Sequence, residues 1–194
     1  MTCGSAGEQL DGKTLYKKQQ HMRDCFKYSP APIIIADDLH IPENIGSVLR
    51  LADAVGSQKV FFITEPNEQS LNRIRRTARS CDALVSWQFV TCDEFLIEHL
   101  PQIPKLIAIE LTNTSTSIFE TNLPTQCCLV IGNERHGVSK TLLEQCQQAV
   151  HIPMYGVNGS MNVTHALAIS LFEWRRQSMQ LNMNILSNKI LRPT

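Results

Sequence analysis

Cys128-Leu129-Val130-Ile131-Gly132-Asn133-Glu134-Arg135-His136-Gly137 is a short apolar run that breaks into a loop of small, amide and charged residues. Four apolar residues without polar alternation suit a strand buried on both faces, as strands of parallel sheets are. The same change of character occurs twice more. Ile33-Ile34-Ile35-Ala36 leads into Asn44-Ile45-Gly46-Ser47-Val48-Leu49-Arg50, and Val150-His151-Ile152-Pro153 leads into Gly159-Ser160-Met161-Asn162. Each loop stands where a helix should begin. In an open α/β sheet, ligands gather outside the carboxyl ends of the strands, so the three loops are expected to converge on one crevice.

Strand and helix patterns alternate around these segments. Expected strands are 33–36, 59–63, 85–90, 105–110, 127–131 and 150–152. Expected helices are 43–56, 68–79, 91–100, 139–147 and a longer amphipathic one at 162–180. Thr91 and Glu94 form a capping box, and Ser139 is an N-cap candidate. The alternation predicts an α/β fold, a mostly parallel sheet with helices on both faces. Residues 1–30 read as an N-terminal helical extension, with a polar helix at 8–27 ended by Pro30-Ala31-Pro32. Residues 31–180 read as the α/β domain and 181–194 as a C-terminal tail.

Composition narrows the class. At 194 residues with 43% apolar and 19% charged residues, the chain reads as a globular domain able to bury its own core. No apolar stretch reaches the roughly 20 residues that span a bilayer. The first thirty residues lack the apolar segment of a secretory signal, so a cytoplasmic protein is expected. The seven cysteines are odd in number and form no C-x-x-C pair, which reads as buried small hydrophobes. The six histidines are scattered, without H-E-x-x-H or Cys/His ligand spacing, so no metal is expected. Lys plus Arg equals Asp plus Glu at 18 each, and no global field announces a partner. Basic residues do cluster locally: Lys17, Lys18, His21, Arg23 and Lys27; Arg73, Arg75, Arg76 and Arg79; Arg175 and Arg176. One such run is ordinarily a solvated helix face. Together they are a candidate phosphate-binding surface.

On the helix after the first strand, Val48, Leu51, Ala52 and Val55 make one apolar stripe and Arg50 projects from nearly the opposite side. Gly46, one turn earlier on the face of Arg50, is expected to leave the surface beside the guanidinium bare for a ligand. Taken singly, Asn44 is a cap, the glycines serve a tight turn, and Ser160-Met161-Asn162 caps the last helix. The G-x-G-x-x-G dinucleotide fingerprint is absent.

Taken together, the three loops resemble the SpoU (TrmH-like) branch of the SPOUT RNA methyltransferases. Asn-x-Gly-x-x-x-Arg stands as Asn44, Gly46 and Arg50, and Gly-x-Glu-x-x-Gly as Gly132, Glu134 and Gly137. Ile-Pro-Met followed by Ser-Leu-Asn-Val stands as Ile152-Pro153-Met154 and Ser160-Met161-Asn162-Val163, with Met161 in place of Leu. The resemblance covers residues 33 to about 175. It implies a C-terminal deep trefoil knot, a homodimer, and S-adenosyl-L-methionine held by the knot loops beside an acceptor ribose at the dimer seam. Cofactor contacts are implied at Leu111, Gly132, Ile152 and Met161, largely through backbone. Arg50 is implied as the main catalytic side chain, with Asn44, Glu134, Ser160 and Asn162 shaping the site. The implied activity is methylation of a ribose 2′-hydroxyl in RNA, transfer RNA being favoured over ribosomal RNA. A noncatalytic RNA-binding or ribosome-associated protein on the same scaffold is the alternative.

Overall fold

A computed structural model of the chain describes residues 7–25, 31–57, 59–64 and 68–190. Lys27, Cys3, Pro30 and residues 191–194 lie outside them, as do the side chains of Arg23 and Cys25. Residues 1–30 and 31–194 form two compact units. In the first, α1 spans Gly12–Cys25 and is capped by Asp11, whose carboxylate accepts the Thr14 N–H at 2.8 Å.

The second unit is built on seven strands: β1 Ile33–Asp37, β2 Lys59–Ile63, β3 Ser86–Val90, β4 Leu106–Ile109, β5 Thr116–Ser117, β6 Cys128–Ile131 and β7 Cys146–His151. All pair in parallel, in the order β3-β2-β1-β6-β4-β7-β5. The chain therefore winds one way from β1 through β2 to β3, while its later strands lie on the other side of β1. The order reverses between β1 and β6, and such a switch point opens a crevice at the strand ends.

Alternation along the strands divides the core. Ile34, Ala36, Phe62, Leu129 and Ile131 face α2 (Pro42–Val55), α3 (Glu68–Ala78) and α6 (Val163–Ile190). Ile35, Phe61, Cys128 and Val130 face the helical segment 92–102 and α5 (Lys140–Leu143) on the opposite side. The mostly parallel sheet with helices on both faces is as the sequence predicts. Among the described residues no helix is long and apolar enough to cross a membrane.

The differences are local. The Thr91 capping box forms, but the helix it starts (α4, Cys92–Glu94) widens into a π turn at Phe95–His99 and ends as a 3-10 turn holding Pro101. Ser139 caps α5 as expected, yet α5 has four residues instead of running to 147. Glu144 and Gln145 are exposed, and from Cys146 the backbone pairs with β4, so the last long strand begins four residues before the expected 150. The two-residue β5 carries too little pattern to be read. α6 runs to Ile190, beyond the expected 180.

Gly46 is the larger correction. It is buried, and a Cβ there would stand 2.6 Å from Thr77 Cβ and 2.8 Å from the Ile74 carbonyl oxygen. The missing side chain lets α3 press onto α2 rather than baring a surface for ligand.

Candidate active site

The loops at the carboxyl ends of β1, β4, β6 and β7 enclose a cavity of about 920 Å³. Leu111, Gly132, Ile152 and Met161 line it, as do Asn44, Glu134, Ser160 and Asn162. Arg50 does not. It is exposed on α2, two turns past Asn44, close enough to Cys81 for its charge to act on that thiol.

Three expected site residues are joined directly. Asn44, 7% exposed, donates from Nδ2 to Glu134 Oε1 at 2.8 Å. Asn162 donates from Nδ2 to Asn44 Oδ1 at 3.3 Å. The remaining oxygen of Asn162 caps α6, accepting the Thr164 N–H at 2.8 Å and its hydroxyl at 2.6 Å. Each amide has its orientation set by a partner that can only donate or only accept, so the line from Thr164 to Glu134 has one consistent polarity. The Ile41 N–H also donates to Glu134 Oε1, at 3.2 Å. Burial pushes the Glu134 carboxyl up, but hydrogen bonds from Asn44 and from the backbone of Glu134, Ile41 and His40 outweigh it and hold the group below its ordinary value. Glu134 is thus an anion at neutral pH. Ser160 is exposed at the cavity and lies outside this line.

Three carboxylate and amide side chains that the motifs do not mark fix the Gly132–Val138 loop. Glu110, just past β4, accepts the Val138 N–H at 3.0 Å and the Leu111 N–H at 2.9 Å. Asp37, 4% exposed at the end of β1, accepts the Ser139 N–H at 2.6 Å. Asn133 Oδ1 accepts the N–H groups of Arg135 and His136, at 2.9 and 3.1 Å, while its Nδ2 donates to the Asp38 carbonyl at 2.7 Å. Gly137 closes the loop at φ +69°, where a side chain would be strained and would also meet the Glu110 carboxylate. An acidic residue ending an otherwise apolar strand was the signal available for Asp37 and Glu110. His151 also lines the cavity, its Nδ1 3.0 Å from Ser115 Oγ.

Cys127 and Cys128 are buried in the core as expected, whereas Cys81, Cys92 and Cys146 are half-buried; burial pushes the thiols of Cys127, Cys128 and Cys146 up to about 12. Glu94, Glu98 and His99 bring ligand atoms within 4.8 Å of one another, but Glu94 is engaged in its cap and His99 with Gln88 at 2.8 Å.

The parallel α/β domain, with its crevice at the switch point of the strand order, is of the class whose ligands sit outside the carboxyl ends of the strands. The chain belongs to the SpoU rRNA methylase family, whose model matches residues 31–172. It is 28% identical over 176 residues to the 23S rRNA (guanosine-2′-O-)-methyltransferase RlmB of Neisseria meningitidis, covering 87% of this chain and 68% of that protein. It is 27% identical over 166 residues to the tRNA (guanosine(18)-2′-O)-methyltransferase of Escherichia coli, covering 84% of this chain and 70% of that protein. Its fold matches the AdoMet-bound rRNA methyltransferase of Sinorhizobium meliloti with a TM-score of 0.70 at 22% identity, over 80% of this chain and 59% of that one. This chain thus spans about three fifths of that solved structure.

Proposed function

We propose that the protein transfers the methyl group of S-adenosyl-L-methionine to a ribose 2′-hydroxyl of structured RNA. The carrying observation is the line Asn162–Asn44–Glu134, which ties one residue from each of three distant signature segments to one wall of the cavity. The lining suits the cofactor: Leu111, Ile152, Met154 and Met161 offer apolar surface for an adenine and a thioether chain, and the carboxylates of Glu110 and Glu134 offset a sulfonium charge. When bound, S-adenosyl-L-methionine supplies an electrophilic methyl group, so the protein's task is to orient and polarise the acceptor.

Gly132, Leu111, Ile152 and Met161 form the cofactor walls in this reading. Ser160 and Asn162 orient the ribose hydroxyl. Arg50 stabilises negative charge developing on that oxygen or holds the adjoining phosphate, since a guanidinium stays protonated and cannot serve as base. Because Arg50 lies off the cavity of its own chain, we assign it to the site of a second copy across a dimer seam. Exposed apolar residues support such a seam: Leu111, Tyr155 and Val157 beside the cavity, and Phe172 and Leu181 on α6. The trefoil knot and a cytoplasmic location belong to the same reading.

Incubation with methyl-labelled S-adenosyl-L-methionine and either transfer RNA or ribosomal RNA, followed by nucleoside mass spectrometry, tests it. A labelled 2′-O-methylnucleoside from one of the two is expected and identifies the RNA class. Label on a base nitrogen, or none from either RNA, refutes the proposal. RNA binding without cofactor binding by calorimetry favours the noncatalytic scaffold instead.

A further inference from the structure

We propose that Arg135 grips the RNA backbone at the cavity mouth, on a phosphate flanking the target ribose, a contact that rests on the ribose-methylation reading above. The fixed negative charges of the lining are Glu110 and Glu134, and Arg135 is the single Lys or Arg among the lining residues. A polyanion entering past two carboxylates is repelled unless a cation stands at the entrance. Arg135 is where that cation stands.

The loop that carries it is held rigidly. Asn133 and Gly137 exchange both backbone hydrogen bonds, at 2.9 and 3.0 Å, and the Asn133 amide fixes the Arg135 and His136 N–H groups from inside. Glu134 is turned inward onto Asn44 and Ile41. Arg135 and His136 are thereby left at the tip, both exposed. A cation on a preordered tip loses less freedom on binding than one on a loose segment, and a planar guanidinium matches two phosphate oxygens at once.

Among the described residues, some arginines of the domain are answered by carboxylates, and Arg50, Arg76 and Arg79, which are not, lie off the cavity lining. Arg73 is answered by Glu43 at 2.6 Å, Arg75 by Asp82 at 3.9 Å, and Arg176 by Glu173 at 2.7 Å. Among the described residues no carboxylate lies within 4.0 Å of the Arg135 guanidinium. Its charge is available to a ligand.

Arg135→Ala and Arg135→Lys in the full chain test the contact, using the RNA class that the unmodified protein methylates or binds. For Arg135→Ala we expect KM for RNA to rise about tenfold, with the loss falling on KM rather than kcat. The slope of log(kcat/KM) against log[salt] should flatten by about 0.7, one phosphate contact on a single strand. Arg135→Lys should keep most of the salt slope and recover part of the affinity. S-adenosyl-L-methionine affinity by calorimetry should not change. Unchanged KM and salt slope, or a fall in kcat at constant KM, overturns the assignment. Filter-binding of RNA to both proteins reads the same contact without turnover, so equal RNA affinity there overturns it even if no methyl transfer occurs. Failure of the unmodified protein to methylate RNA counts against the enzyme reading alone.

Discussion

Asn44→Asp replaces an amide by a carboxylate of nearly the same shape, directly against the Glu134 carboxylate that Asn44 now binds at 2.8 Å. Two unit charges at that distance repel by about 6 kcal/mol at an effective dielectric of about 20. The pair escapes by keeping one proton between the two carboxyls, which caps the cost at the work of protonating one of them. That work is about 1.4 kcal/mol per pH unit above an ordinary carboxyl value near 4, hence about 4 kcal/mol at pH 7 and about 1 kcal/mol at pH 5. For a domain of this size the Tm should fall by about 8–16 °C at pH 7 and by about 2–4 °C at pH 5. The direction follows from linkage. The shared pair in the variant has a raised folded-state pKa, so its deficit shrinks as pH falls. The Glu134 of the unmodified protein has a lowered one, so its stabilisation is complete above the ordinary carboxyl value and is lost as pH falls through the folded value. Thermal unfolding of both proteins at the two pH values, with Asn44→Ala as the uncharged control, reads the difference. A Tm deficit equal at both pH values, or none at pH 7, would refute the direct Asn44–Glu134 contact.

Gly46→Ala should destabilise by about 1–3 kcal/mol, because its methyl would meet Thr77 and the Ile74 carbonyl at the α2–α3 crossing; urea unfolding without a loss would show that the helices part freely. Arg50→Lys keeps the charge and loses the planar fork, so kcat should fall about 100-fold with cofactor affinity unchanged, and near-normal turnover removes Arg50 from the chemistry. Cys127 and Cys128, with thiols pushed up to about 12, should react with iodoacetamide at pH 8 roughly a thousandfold more slowly in the folded protein than in urea; peptide mass spectrometry showing similar rates would contradict their burial.

The sheet was legible because its inner strands are nearly pure in character: Ile33–Ala36 and Cys128–Ile131 are apolar on both faces, which only a covered parallel sheet tolerates. β5 and the true length of β7 were not legible. β7 reads Cys-Gln-Gln-Ala-Val-His, with exposed or half-buried positions mixed, and pairing with β4 rather than hydrophobic pattern makes it a strand. The site shows the same division. Asn44, Glu134 and Asn162 stand out as polar residues at helix and loop starts, and the structure brings them together. Gly46 was misread because a bare helix face and a tight helix crossing leave the same mark in one sequence, and only the position of α3 distinguishes them.

Asp37 and Glu110 explain why the signature residues alone under-describe the site. Glu134 can meet Asn44 only if the Gly132–Val138 loop turns back sharply, and that turn leaves the N–H groups of Val138 and Ser139 without partners in strand or helix. Glu110 accepts the first and Asp37 the second. A buried N–H left unpaired costs about 1–3 kcal/mol, and a charged acceptor gains more than a neutral one, so these two carboxylates are what make the inward turn of Glu134 stable. They sit on β1 and just past β4, the strands that flank β6, which converts the strand order of the sheet into the shape of the loop. The order reversal therefore opens a crevice and also supplies, from both sides, the acceptors that shape its central loop.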